Sequence, residues 1–482
     1  MKNQLVPGEE SLEACLPSKP PMWRNWLILA ISIAIYIFFS YVSIPGLSSV
    51  GAKSLGYTIV VILLLLFEVF PLAVIAILAV VMAPALGLAS QTDVFANFAV
   101  GPAFFVFGVL MIAVAFTSTG FGARTSLYVS GLLGSKPKNV LLSYMLGTGL
   151  ISSVLADIPT AFIFGALAVE LLKKNGCMPG CSNFGKSVMI GIPIAATVGG
   201  LGTPAGGALN VMTISMLQTL AGVDISFLQW TLICFPFAAI MLLVCWWILC
   251  KVFPAEIDNV EGLDDIEEQK RELGPMTTGE KKYLLIFAIM LVLWMTSSFH
   301  GLSLWLIAVA GAAMLFMPGI DILDWRKMGD QIGCEVPYLI CGTNVVAYLL
   351  TVNGTAAWLA ERTLGSLNTS SMLLILLLTV FIGVYGHYIV PCATALLSVI
   401  MPIVLTLAPQ FGISPMMMAM AVSLAAHVTT LLPHADPVSL ATYDHNYWTM
   451  WDMIKPSLIY GTVWIPISVA YLYLFQMFGL IV

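Results

Sequence analysis

The sequence predicts an all-α polytopic membrane protein, and three observations carry that prediction. Of its 482 residues, 60% are hydrophobic and only 9% are charged, against about 25% charged residues in soluble domains. Apolar runs of roughly 18 residues or more recur along nearly the whole chain, long enough to form helices that cross a bilayer. Further apolar regions are interrupted in their middle. We therefore predict about 11 transmembrane helices in two inverted repeats, with two re-entrant hairpins and two broken helices.

Hydropathy locates the regular membrane helices and a polar start. We expect helices near residues 25–44, 55–69, 70–89, 101–119, 226–250, 283–299, 302–317, 333–351 and 455–479. Residues 1–22 mix basic and acidic side chains with prolines and lack the short apolar core and cleavage site of a signal peptide. We interpret them as a soluble tail.

The interrupted regions contain residues that do not continue a helix. Regions 139–172 and 369–408 are broken by "LADIPTA" and "IVPCATA", which predicts a re-entrant hairpin in each. Regions 186–221 and 414–443 are broken by "GGLGTPAGG" and "TTLLPHADP", which predicts a discontinuous helix in each. Because unwound backbone at membrane depth is tolerated only where it is buried or lines a cavity, these breaks mark a binding site.

The breaks fall at corresponding points of the two halves. Aligning Gly120 with Gly354 places Asp157 on Pro391 and Thr160 on Thr394. We predict a cytoplasmic tail, a first repeat with extra N-terminal helices, an acidic cytoplasmic linker and a second repeat, with the bounds 1–22, 23–252, 253–282 and 283–482.

Charge predicts the orientation of the chain. With a cytoplasmic N-terminus, every Lys and Arg except Lys53 and Arg362 falls on the cytoplasmic side, in agreement with the positive-inside rule. Arg124 and Arg362 are equivalent in the repeat but fall on opposite sides, which indicates inversion. We predict a multi-pass protein of the inner (plasma) membrane.

The stretch "ATVGGLGTPAGGALN" resembles the glycine-rich signature of the divalent anion:sodium symporter family, which includes di- and tricarboxylate and sulfate carriers. The resemblance implies a homodimer in which a scaffold domain supports a transport domain that moves as an elevator. It also implies that the substrate and coupling cations lie between the two hairpin tips and the two broken-helix loops.

The hairpin tips depart from that family. Family members usually carry Ser-Asn-Thr at each tip, whereas here the triplets align with Ala156-Asp157-Ile158 and Val390-Pro391-Cys392. The candidate substrate-binding residues are Asp157, Thr160, Gly202, Thr203, Pro204, Cys392, Thr394 and His434. The candidates for cation or proton coupling are Asp157, Gly199 and Asp436. Asp157 and Asp436 could instead cap the half-helices that follow them.

Other chemistry-bearing residues receive structural interpretations. We interpret His387 and His427 as packing histidines on apolar helices, and His300 and His445 as interfacial or loop residues. Cys177 and Cys181 invite a metal site, but no second pair or histidine cluster joins them, so we place them in a connecting loop. We predict no cofactor or resident metal, and Na+ or H+ as the coupling ion.

Together with that resemblance, the sequence thus predicts an elevator-type secondary active transporter of small organic anions, namely di- or tricarboxylates, either cation-coupled or exchanging. The alternative is a cation/proton antiporter or oxyanion extruder of the ion transporter superfamily, to which the divalent anion:sodium symporter family belongs. A membrane-embedded enzyme lacks support, because no nucleophile motif or metal-ligand spacing such as His-Glu-x-x-His accompanies the acidic residues. The expected partners are the anion, membrane lipids and a second copy of the chain, with no nucleic acid.

Overall fold

A computed structural model describes residues 22–67, 69–130, 133–262, 268, 270–328, 335–363, 371–388, 393–428 and 437–479. In these ranges the chain is helical and forms no strand. Seven helices in the described part are long and apolar enough to cross a membrane, and several shorter apolar helices accompany them. The predicted fold class is therefore confirmed.

The first half of the chain runs from the N-terminal helix to the long helix before the linker. Its helices are α1 (Met22–Tyr41), α2 (Ser49–Phe67), α3 (Leu72–Ala85), α4 (Gln91–Phe98), α5 (Gly101–Ser118), α6 (Phe121–Ser130), α7 (Pro137–Ser152), α8 (Asp157–Lys174), α9 (Asn183–Gly200), α10 (Ala208–Ala221) and α11 (Phe227–Val252). A short 3-10 turn, Pro204–Gly206, separates α9 from α10.

The second half follows the linker. Its helices are α12 (Thr278–Met295), α13 (Ser297–His300), α14 (Leu304–Met314), α15 (Trp325–Met328), α16 (Glu335–Val352), α17 (Thr355–Thr363), α18 (Met372–Gly386), α19 (Ala393–Leu407), α20 (Pro415–Ala426), α21 (Pro437–Tyr443) and α22 (Met450–Met477). A 3-10 turn, Ala408–Phe411, extends α19.

Helix ends differ from the hydropathy prediction where polar residues are helical. The helix expected near 283–299 begins at Thr278, because Thr277 and Glu280 form a reciprocal capping box. The short helices α4, α6 and α17 were not predicted, since a hydropathy window detects spans rather than short amphipathic turns.

The interruptions lie where the sequence predicts them in the first half. Helix α7 ends at Ser152 and α8 begins at Asp157, while α9 ends at Gly200 and α10 begins at Ala208. In the second half, residues 389–392 of the predicted interruption "IVPCATA" and residues 429–436 of "TTLLPHADP" lie outside the described residues. Gly120 and Gly354 both adopt positive φ, +80° and +74°, and each immediately precedes a short helix.

The described helices pack in two groups, and α10 is one of the helices that contact both. Helix α1 packs on α2, α3 on α16, and α5 on α14. In the other group the hairpin arms α7 and α8 pack on α9, and α18 and α19 pack on α20. Helix α10 contacts α5 and α16 as well as α19 and α20. The half-helix that follows the first break therefore lies against the second half of the chain.

A buried ion pair fixes the end of the linker. The Arg124 Nε donates to Glu280 Oε1 at 2.7 Å, and its other nitrogens donate to the carbonyl oxygens of Gly274 at 3.0 Å and Leu273 at 3.3 Å. Arg362, its predicted counterpart, is exposed and lies 6.0 Å above the ring of Trp358.

We expect Arg124→Gln to lower the melting temperature of the detergent-solubilised protein by several degrees, because the variant leaves the buried Glu280 carboxylate without its charged partner. Arg362→Gln is the matched control and should change the melting temperature little, since its charge is solvent-exposed. Equal melting temperatures for the two variants would show that the buried pair does not stabilise this junction.

Candidate functional site

The tip of the first hairpin is hydrogen-bonded to the first broken helix. The Thr203 hydroxyl donates to the carbonyl oxygen of Ser153, and the Ser152 hydroxyl donates to the carbonyl oxygen of Ala196 at 2.6 Å. All three hydroxyl-bearing residues are buried. The tip and the loop therefore form one unit, in which side chains satisfy backbone carbonyls that the breaks leave free.

Gly199 allows the hairpin and the broken helix to touch. A side chain at this position would overlap the backbone of Gly149 on α7. Glycine is thus required here by backbone contact, which explains one of the glycines in "GGLGTPAGG". Gly202 follows within the same buried loop, and its amide donates to the carbonyl oxygen of Gly199 at 2.8 Å.

Asn210 holds the glycine-rich loop through two side-chain hydrogen bonds. Its side-chain nitrogen donates to the carbonyl oxygens of Gly200 at 2.8 Å and Thr203 at 2.7 Å. Its Oδ1 is buried and has no hydrogen-bond partner. An unpaired buried acceptor is costly unless a ligand supplies a hydrogen or a cation. Sequence reasoning missed this residue, although it closes the glycine-rich stretch.

Asp157 and Thr160 lie in the first turn of α8. Asp157 is the first residue of that helix, is partly buried, and accepts a hydrogen bond from the amide of Ile158 at 2.9 Å. A carboxylate at this end is stabilised by the helix dipole, although the N-cap position itself is occupied by Ala156. The Thr160 hydroxyl is buried and donates to the carbonyl oxygen of Ala156 at 3.0 Å.

Of the site residues predicted in the second half, the structure describes Thr394. Thr394 lies in the first turn of α19 and is partly buried. Cys392, His434 and Asp436 lie outside the described residues. The structure thus brings Gly199, Gly202 and Thr203 together with the first hairpin. That these residues also lie near the tip of the second hairpin remains a prediction.

Two clefts approach this unit from opposite ends of α5. One, of about 490 Å³, lies between the start of α5, helices α10 and α11 and the segment 297–305, and it reaches Pro204. The other, of about 540 Å³, is lined by the end of α5, from Leu110 to Ser118, and by Pro159 of the hairpin. The two clefts are therefore lined by different halves of α5.

The cysteine pair lies in the loop between α8 and α9, as the sequence predicts. Cys177 is buried, and this burial raises the pKa of its thiol, which disfavours the thiolate that a metal needs. Cys181 is a free, exposed thiol. Among the described residues, His, Cys, Asp and Glu form no group of three or more that could hold a metal ion.

A family model described as the sodium:sulfate symporter transmembrane region matches residues 22–480. The chain belongs to this family. Its members are the divalent anion:sodium symporters that the glycine-rich stretch resembles. The protein is accordingly a membrane transporter and not an enzyme.

Curated members of the symporter family are similar over most of their length. The sodium-dependent dicarboxylate transporter SdcS of Staphylococcus saprophyticus is 26% identical over 417 residues, which cover 81% of this chain and 80% of the relative. SdcS of Staphylococcus aureus strain USA300 is 26% identical over 394 residues, covering 77% and 75%.

Solved transporter structures share the fold of this symporter. The Alcanivorax borkumensis YdaH transporter superposes with a TM-score of 0.57 at 15% identity, covering 80% of this chain and 87% of its own. MtrF of Neisseria gonorrhoeae, described as one of a class of antimetabolite efflux pumps, superposes with a TM-score of 0.54 at 11% identity, covering 95% of each chain. At these identities the similarity concerns the fold alone.

We expect Gly199→Ala to abolish uptake or prevent folding of this symporter, because the added methyl group would force α7 and α9 apart. Gly279→Ala is the matched control, since a side chain there meets only ordinary contacts at 3.9 Å and 4.0 Å and alanine favours the helix. Expression yield and uptake in proteoliposomes check both variants. Wild-type behaviour of Gly199→Ala would disprove the close contact.

Proposed function

We propose that this protein is a sodium-coupled secondary transporter of small dicarboxylates, with its site where the first hairpin meets the first broken helix. The unpaired, buried Oδ1 of Asn210 beside that loop carries the proposal. The SdcS relatives are sodium-dependent dicarboxylate transporters, which supports the proposal.

The anion is held by backbone rather than by basic side chains. Helix α10 begins immediately after Gly207, so its unpaired N–H groups and partial positive charge face the break. The buried Arg124 is paired with Glu280, and Lys186 is paired with Asp452 at 2.9 Å. Both of these cations are engaged with carboxylates, and in this proposal the helix end, nearby hydroxyl groups and the co-transported sodium hold the dicarboxylate.

Sodium requires oxygen ligands, like other hard cations. The Oδ1 of Asn210 offers one, and backbone carbonyls around Gly199 offer others. Asp157 and Asp436 remain candidates for coupling, and a positive ion bound beside them offsets their repulsion of a dianion. We propose that substrate contacts come from Asp157, Thr160, Gly202, Thr203, Pro204, Cys392, Thr394 and His434.

Transport follows an elevator scheme in this proposal. The hairpin and broken helices move as one body against the group that contains α3, α5, α14 and α16. The two clefts at opposite ends of α5 supply access from either side in turn. The working unit in this proposal is a homodimer in the plasma membrane. Each protomer has a cytoplasmic N-terminus, and its two inverted repeats span residues 23–252 and 283–482.

Uptake into proteoliposomes tests the proposal. We expect labelled succinate to accumulate under an inward sodium gradient and not under a proton gradient or internal dicarboxylate alone. The driving force is the sodium gradient itself, so an ionophore that collapses it should abolish accumulation. Uptake driven by a proton gradient would show that H+ and not sodium is the coupling ion. The absence of succinate movement under every condition would contradict the proposal.

Asn210→Ala should raise the sodium concentration for half-maximal uptake about tenfold, because it removes an oxygen ligand and two hydrogen bonds in a buried site. Asn139→Ala is the control, since this asparagine donates to Leu133 at the start of α7, away from the breaks. Sodium titration of uptake at saturating succinate checks both. An unchanged sodium dependence in Asn210→Ala would exclude Asn210 as a ligand.

A further inference from the structure

Two exposed lysines lie where the last turn of α11 meets the first turn of α7. The indole Nε1 of Trp246 on α11 donates to the carbonyl oxygen of Lys138 on α7 at 2.9 Å, which fixes the two helix ends against each other. Lys138 is close enough to Cys250 to interact with it electrostatically, and Cys250 is adjacent to Lys251. The two lysines therefore belong to one small area of the surface, which we call the lysine patch and define as Lys138, Trp246, Trp247 and Lys251.

Helix α11 is long enough to carry this patch out of the hydrocarbon core. It has 26 residues and is about 39 Å long, whereas the core of a bilayer is about 30 Å thick. The last turn of α11, which leads directly into the hydrophilic linker, then lies among the lipid headgroups. Trp246 and Trp247 are typical of that level, because indole rings are enriched at the membrane–water interface.

A stripe of exposed apolar side chains leads along α11 to Lys251. Ile240, Leu243 and Trp247 are 43%, 48% and 58% exposed, and their spacing places them on one face of the helix together with Lys251. On a membrane-spanning helix such a face contacts acyl chains. A lipid whose acyl chain lies on this stripe has its headgroup at the level of Lys251.

The charge of the patch is available to a ligand. Lys138 and Lys251 form no ion pair with any carboxylate in the ranges that the structure describes. The Nζ of Lys251 lies 5.9 Å from the centroid of the Trp247 ring, and this cation–π contact holds the ammonium group over the indole. Helix α7 begins after Lys136, which makes no side-chain cap, so the positive end of its dipole adds to the two charges.

The carboxylate nearest to Lys251 in the sequence is engaged with another helix. The Oε2 of Glu256 accepts from the amide of Phe184 at 2.9 Å, and its Oε1 accepts from the hydroxyl of Ser182. Glu256 thus pairs with the start of α9 and does not neutralise the lysine patch.

We propose that the lysine patch binds the phosphate group of an anionic phospholipid, whose acyl chain lies on the stripe formed by Ile240, Leu243 and Trp247. Basic pockets between membrane helices on the cytoplasmic side suit such headgroups, and the charges of this chain assign the patch to that side. Helix α7 is the first arm of the hairpin, and α11 packs on α9. The lipid therefore stabilises the helices that support the first break.

Thermal unfolding of the detergent-solubilised, full-length protein tests this proposal. Dioctanoyl phosphatidylglycerol, which is anionic, is compared with dioctanoyl phosphatidylcholine, which has the same chains and phosphate but no net charge, and with inorganic phosphate. A ligand that binds the folded protein alone raises its melting temperature. We expect phosphatidylglycerol to raise the melting temperature by several degrees, and the other two to change it little at the same concentration.

Variants of the patch locate the binding. Lys138→Gln/Lys251→Gln should raise the phosphatidylglycerol concentration for half-maximal stabilisation about tenfold or more, because each lysine attracts the anionic headgroup. Both side chains are exposed, so this variant should melt like the wild type without lipid. Trp247→Leu keeps the apolar stripe but removes the ring beneath Lys251, and should raise that concentration about threefold. Lys281→Gln/Lys455→Gln is the matched control, since it removes two charges from exposed lysines of α12 and α22 and should leave the lipid response unchanged.

Three results would overturn the inference. Equal stabilisation by the two phospholipids would show that the headgroup charge is not recognised. Equal stabilisation by inorganic phosphate would indicate an anion site that does not use the apolar stripe. An unchanged lipid response in Lys138→Gln/Lys251→Gln, or an equal loss in its matched control, would show that the lysine patch is not the binding site. None of these measurements depends on transport, so succinate uptake remains a separate test of the proposed function.

Discussion

This structure depends on one constraint: unwound backbone inside a hydrocarbon layer must find its hydrogen-bond partners within the protein. Each interrupted helix leaves N–H and C=O groups without intrahelical partners, and the bilayer offers no water to pair with them. The first break meets this requirement with its own side chains: Thr203 and Ser152 donate to carbonyl oxygens across the tip and loop, and Asn210 donates to two more. The break is held in shape before any ligand arrives.

That solution also defines what the site can bind. The N–H groups at the start of α10 face the break and favour an anion, whereas the unpaired acceptor there, Asn210 Oδ1, favours a cation. A dianion together with sodium would satisfy both needs. A site without basic side chains can thus hold an anion while depending on the ion that accompanies it.

The sequence was sufficient to predict the membrane class, the hairpin and break of the first half, and the importance of "GGLGTPAGG", because hydropathy and glycine or proline interruptions are local signals. It did not identify Asn210, since an asparagine in an apolar run looks the same whether it pairs with backbone or not. It predicts a packing histidine at His387, but whether both ring nitrogens find partners depends on tertiary contacts, and the buried Nε2 has no hydrogen-bond partner. The short helices α6 and α17 were missed because they are too short and polar for a membrane-span signal.

The most direct test of this account is a high-resolution density map of the protein in lipid with sodium and succinate. We predict density for the dianion at the N-terminal end of α10, with a cation beside Asn210 Oδ1. Ligand density elsewhere, for example in the cleft lined by Asp224 and Gln229, with no density at the break, would contradict the claim that the first break forms the transport site.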